Sequence, residues 1–240
     1  MNLLKRKRKS ISRKNGYKFN FNQLEVMKTT IKIIALAVAL TVTGLNAQEF
    51  VRFSPQPQGC KVRMEGTSTI HDWYAESAII GGSVELDKNL PLDPAVKLPT
   101  GKINAKVYAK IPSRSLKSSS GRAMDVIMYE YMDVKQYPTI EYRLLEMDLP
   151  SIPARGNPIL KTVGELVVHG VTNKITMDVG FERIAKDKIK FYLPVPITLK
   201  MTDFKINPPN PNIGGVGIKT GDEVKVTFEW VLSLSTEEQK

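Results

Sequence analysis

Residues 101–111 alternate without a break: Ile103, Ala105, Val107, Ala109 and Ile111 fall on one parity, and Lys102, Asn104, Lys106, Tyr108 and Lys110 on the other. Successive side chains of an extended strand point to opposite faces, so this run makes a strand with one dry and one wet face and does not fit a helix of 3.6-residue period. The pattern returns in residues 174–182, with Ile175, Met177, Val179 and Phe181 inward, and in 223–234, with Val224, Val226, Phe228, Trp230, Leu232 and Leu234. Ile189, Phe191, Leu193, Val195, Ile197 and Leu199 give another such strand. Residues 61–69, 75–86, 139–147 and 162–169 are weaker candidates, for about eight strands in all.

One segment breaks the period of two. Between Ser118, Ser119 and Ser120, which offer helix N-caps, and Pro138, the residues Met124, Ile127, Met128 and Tyr131 fall at i, i+3, i+4 and i+7 and predict a short amphipathic helix. Residues 91–99 and 150–158 read as proline-bearing loops, and 204–222 as a long loop rich in Pro, Asn and Gly. The chain is therefore all-β with one or two short helices, and its antiparallel strands suit either a sandwich or a closed barrel. A membrane-spanning barrel needs an apolar outer face. A strand face carrying Lys102, Lys106 and Lys110 meets water instead, which places the apolar parity inside.

The chain has 240 residues and a net charge of +11, which by itself points to a nucleic-acid or anionic-membrane partner. The position of the charge removes that reading. Residues 1–47 hold ten Lys or Arg against Glu25 alone, a net of +9, and the rest is nearly neutral. From Met27, a short basic start (Lys28, Lys32) precedes an uncharged apolar run over 33–43 and a small residue, Ala47, which is the layout of a secretory signal peptide cut after Ala47. Residues 1–26 then read as a basic prefix or an early-called start, 27–47 as the signal peptide, and 48–240 as one domain. The apolar run is about half the roughly 20 residues of a spanning helix, so no transmembrane anchor is expected. The expected location is periplasmic or secreted, with no nucleic-acid partner. Past the leader Cys60 is the one cysteine, so no disulfide forms within the domain. A buried thiol is the favoured reading, and a homodimer joined through that thiol the alternative.

Four stretches carry a resemblance: residues 65–73 (EGTSTIHDW); 111–116 (IPSRSL) with 136–140 (QYPTI); 164–173 (GELVVHGVTN); and 201–204 (MTDF) with 221–224 (GDEV). In this order and spacing the chain resembles the YceI-like family of exported bacterial proteins, from about Cys60 to Leu234. The resemblance implies a lipocalin-like antiparallel eight-stranded β-barrel whose interior takes a long isoprenoid or similar lipid chain. Many members carry an Arg before the Asp-Phe pair, and this chain has Met201-Thr202 there.

His71 and His169 have no short ligand spacing, so no metal site is expected, and the bland reading is a turn histidine holding nearby backbone. No Gly-x-Ser-x-Gly elbow occurs and the inward sets named above hold no titratable group, so no catalytic residue and no cofactor are assigned. The candidate ligand-binding residues are Trp73, Met124, Ile127, Met128, Tyr131, Phe191, Phe228 and Trp230: large apolar groups, adaptable methionines, and a tyrosine that pairs an apolar ring with a wet hydroxyl. The expected function is an exported, non-enzymatic protein that sequesters or carries an isoprenoid-like or fatty-acyl chain. The alternatives are a filled barrel acting as a structural or stress-related interaction protein, and an enzyme acting on a lipid bound in the barrel.

Overall fold

The alternating runs are strands, longer and more interrupted than the sequence pattern indicates. A computed structural model describes residues 49–235, so the leader, its cleavage after Ala47 and the basic prefix lie outside the described residues. In chain order the strands are β1 (Phe50–Pro55), β2 (Lys61–Ser68), β3 (Trp73–Ser77), β4 (Gly81–Asp87), β5 (Gly101–Lys102), β6 (Ala105–Pro112), β7 (Lys117–Ser118), β8 (Thr139–Leu149) and β9 (Ile159–Val168). They continue with β10 (Val171–Ala185), β11 (Lys188–Tyr192), β12 (Ile197–Lys200), β13 (Asn212–Ile213), β14 (Val216–Gly217) and β15 (Thr220–Leu234). Helix α1 is Arg122–Tyr131. Among the described residues no helix is long and apolar enough to cross a membrane.

Antiparallel ladders run β1-β4-β6-β8-β9-β10-β11-β15, and β15 pairs back onto β1 with Phe53 opposite Leu234 and Pro55 opposite Leu232. That return closes an eight-stranded antiparallel barrel, with no sheet edge left around its base half. Four staves are bent: β1 and β2, β3 and β4, β6 and β7, and β11 and β12 are each one stave interrupted by a short irregular segment. The up-and-down order puts the β2–β3 turn, α1, the His169–Gly170 turn and segment 201–219 at one end, here called the mouth. Segments 88–104, 150–158 and 186–187 lie at the other, the base.

The barrel interior is divided. Toward the base, Phe53, Val84, Leu86, Leu149, Leu160, Ile189 and Leu232 interdigitate and are essentially inaccessible to water. Phe181 and Phe191 stack there with ring centroids 5.1 Å apart. Leu90, Leu98 and Ile103, from the loop over the base, are buried against the same core. Arg183 of β10 holds that loop: its guanidinium donates to the carbonyls of Pro91 and Asp93 (2.8 Å each) and Val96 (2.7 Å). Toward the mouth the interior is hollow.

Several sequence expectations are corrected. The run 101–111 is not one strand: Ile103 N donates to Met147 O (2.9 Å) while Asn104 O accepts from Asp87 N (3.1 Å), so the two neighbouring staves pull adjacent residues and split the ladder. Residues 75–86 break at 78–80, between β3 and β4, and within β4 Gly82, at φ +118° and against the Tyr108 carbonyl, has no room for a side chain. The run 189–199 is interrupted by Pro194 and Pro196. The helix starts after Gly121, with no side-chain cap from the serines; the first-turn Asp125 instead accepts from Ser118 N (2.6 Å). Sequence reading also passed over β1, too short and proline-flanked to show its alternation, although it is the strand that closes the ring.

Candidate ligand cavity

The hollow half encloses a cavity of about 290 Å³, walled almost wholly by apolar side chains. Its floor is Phe191 and Trp230, which also top the packed half; the buried indole N–H of Trp230 donates to Ile80 O (3.2 Å) and so adds no free polar group. The wall is built by the inward parity of the staves, among them Val107, Ala109, Ile175, Met177, Val226 and Phe228.

Two glycines shape that wall. Gly66 is paired with Trp73, whose ring lies where a Cβ would stand (2.4 Å) and whose Nε1 donates to Thr67 O (3.2 Å). Gly164 is covered in the same way by the ring of Tyr142, with the hydroxyl also 2.4 Å from a Cβ position. Each aromatic ring lies over a glycine of the neighbouring strand, directly opposite for Trp73 and diagonal for Tyr142, because that residue has no side chain.

The roof is α1, which turns Met124, Ile127, Met128 and Tyr131 to the cavity. On the barrel side the helix is held by Asp125 and by the Tyr129 hydroxyl, which donates to Leu116 O (2.6 Å) and accepts from Lys117 Nζ (2.8 Å). On the other side Asn210 N donates to the Tyr131 hydroxyl (3.4 Å), joining the helix to segment 201–219.

All eight candidate residues, Trp73, Met124, Ile127, Met128, Tyr131, Phe191, Phe228 and Trp230, border this one cavity. Sequence reading missed Tyr142 and Thr162. Residues 159–168 do place Leu160, Thr162, Gly164, Leu166 and Val168 on one parity, but a threonine and a glycine in the set blur the alternation. Tyr142 corrects the expectation that no titratable group faces inward. Its buried hydroxyl has no hydrogen-bond partner among the described residues, and burial pushes its pKa above the ordinary phenol value. It therefore stays protonated at neutral pH, which suits neither a general base nor an anionic nucleophile. Thr162, beside it, donates to Met177 O (3.1 Å).

Neither histidine borders the cavity. His71 Nδ1 donates to Asp72 O (2.7 Å), and His169, at φ 52° in the β9–β10 turn, donates to Phe204 O (3.2 Å) and packs edge-on against Tyr137. Among the described residues no three His, Cys, Asp or Glu side chains cluster as metal ligands would. Cys60 is buried, its thiol donating to Gln56 O (3.4 Å) and Val231 O (3.6 Å) with its pKa raised by burial, a placement unsuited to an exposed intersubunit disulfide.

Comparison with known proteins agrees with this architecture. The chain is 26% identical over 193 residues to a UPF0312 protein of Pseudomonas putida, covering 77% of this chain and 90% of that one. The fold matches a polyisoprenoid-binding domain from Saccharophagus degradans with a TM-score of 0.55 at 12% identity, over 78% of this chain and all of the other. It also matches BcnA of Burkholderia cenocepacia with a TM-score of 0.54 at 18% identity, over 74% and 98% of the two chains. The model of the YceI-like domain covers residues 46–232. With the closed barrel and the four sequence stretches in the same span, the chain belongs to the YceI-like family.

Proposed function

We propose that this protein is an exported, non-enzymatic lipid-binding protein that sequesters or carries an isoprenoid-like or fatty-acyl chain. The observation that carries the reading is the apolar cavity above a packed base. Its volume sits at the lower edge of the roughly 300–1,000 Å³ of small-molecule pockets. Each methylene moved from water into it gains about 0.8 kcal/mol, so even a partly buried chain is held tightly. The polyisoprenoid-binding fold neighbour supports the ligand class, and the leader pattern of residues 27–47 supports export. A filled barrel with only a surface function leaves such a cavity without a role. An enzyme needs a reactive group on the cavity wall, where Tyr142 is a neutral phenol, Thr162 is already bonded to backbone, and Ser118, Tyr131, Lys200 and Thr220 have no histidine or carboxylate beside them among the lining residues.

The test is native mass spectrometry of protein purified from its own membrane-containing source, followed by organic extraction. A co-purifying lipid of defined mass is the expected result, and repeated recovery of empty protein that takes up no added lipid overturns the reading.

A further inference from the structure

The β10–β11 ladder sets Gly180 opposite Tyr192 and Glu182 opposite Lys190. Continued toward the mouth, that register brings Pro194 opposite Asp178; through the bend at 194–195 the stave then slips by two residues against β15, so that Ile197 comes level with Met177 and Leu199 with Ile175. Alternate residues of an antiparallel strand turn their amides to opposite neighbours. On this stave the odd-numbered residues serve β15, with Leu193 N donating to Phe228 O (3.1 Å) and Met201 N to Asp222 O (3.0 Å), so the even-numbered ones face β10. Pro194, the position due to donate next, has no N–H, and Pro196 removes a second donor just past the bend. The ladder stops at Gly180 and Tyr192. Above it β12 pairs with β15 alone, and residues 171–179 of β10 pair with β9 alone.

The two free edges face each other across a seam in the barrel wall. Near the mouth it is spanned by Asn173 Nδ2 donating to Asp203 O (2.8 Å) and by the His169 contact with Phe204 O. Behind it stand Ile175 and Met177 of β10 and Ile197 and Leu199 of β12, all on the cavity wall. Its outer lip, residues 193–196, carries no charge, and Val195 at 69% exposure is the most exposed large apolar side chain among the described residues.

We propose that this seam is a lateral portal through which a long apolar chain slides between the cavity and a lipid surface touched by Val195. The proposal rests on the lipid-binding reading above. Passage through the mouth requires α1 and segment 201–219 to part, breaking the hydrogen bonds that hold the roof. Passage through the seam requires rotation of four apolar side chains and breaks no ladder, and such rotamer changes are fast.

The test is a tether across the seam. In a Thr176→Cys/Thr198→Cys variant the two exposed positions are level across the seam, and a short bis-maleimide joins them while buried Cys60 stays unreacted. The probe is pyrene-labelled hexadecanoic acid delivered from phosphatidylcholine vesicles and followed by stopped-flow fluorescence. The untethered variant is expected to load at the wild-type rate, and the tethered one about tenfold more slowly to the same final extent, as gated access implies. Val195→Asp is expected to slow loading from vesicles by a similar factor. Equal rates with and without the tether overturn the portal and leave the mouth as the route, and a wild-type rate in Val195→Asp overturns the lipid-surface contact. A wild-type protein that takes up no probe, and from which no lipid is extracted, overturns the cavity reading itself and not merely the route.

Discussion

At the scale of single residues, the cavity depends on what is missing from its wall as much as on what lines it. Gly164 leaves the space in which the Tyr142 ring lies, and an added Cβ meets the Cε2, Cζ and hydroxyl atoms at 2.4 Å. A rigid ring displaced from the sheet has only the cavity to move into. Gly164→Ala is therefore expected to cost about 1–3 kcal/mol in urea unfolding, the usual price of overpacking, and to weaken probe uptake by more than the stability loss accounts for. Equal probe affinity in the variant and the wild type would show that the ring does not reach the ligand. Seven of the eight candidate residues were legible because each is a large group on a clean parity or helical face, and Trp73 by its size at the end of the 65–73 stretch. Tyr142 was not, since its role comes from a glycine on the neighbouring strand.

At the scale of elements, the two ends of the barrel are held by different chemistry. At the base, Arg183 satisfies three carbonyls of the loop that carries Leu90 and Leu98, and Lys186 adds an ion pair to Asp93 (3.1 Å). Arg183→Ala is expected to lower unfolding stability by about 2 kcal/mol, the scale of losing charge-assisted hydrogen bonds, and to expose residues 91–96 to proteolysis first. At the mouth, Asp222 accepts from the Thr202 amide (2.9 Å) and hydroxyl (2.7 Å), which with nearby Lys200 hold its carboxyl below the ordinary value. A lowered folded-state pKa gives stability that is fully present above the unfolded value and lost as pH falls through the folded one. Amide protection of residues 202–206 is thus expected to be flat from pH 7 to 5 and to fall only below about pH 4. In Asp222→Asn that protection is expected to be lower at pH 7 and to lose its acid dependence.

At the scale of the molecule, one ring of staves contains a packed half and a hollow half, and substitutions should separate them. Phe53, wholly buried in the base, is expected to cost about 3–5 kcal/mol on change to Ala and to leave probe affinity in the surviving folded protein unaltered. Ala109, on the cavity wall, is expected to accept Leu with little or no loss of stability while probe binding falls, because the added atoms take up cavity volume. Calorimetry paired with probe titration reads both. Matched losses of stability and binding in both variants would mean that the interior is one continuous core.

The sequence by itself determined the class of fold and the sidedness of its sheet, because a period-two pattern with lysine on one parity has only one orientation in water. It also determined the helix face and, Tyr142 excepted, most of the large groups on the cavity wall, which are local properties of spacing and size. Only the tertiary structure decided that the ring closes through β1, since that pairing joins Phe53 to Leu234 across nearly the whole domain. Only it decided where packing ends and the cavity begins, because that boundary depends on which side chains from eight staves meet at one level. The two prolines at 194 and 196 lie between: their missing donors were visible in the chain, but the register that turns Pro194 toward Asp178 of β10 exists only once the barrel has closed.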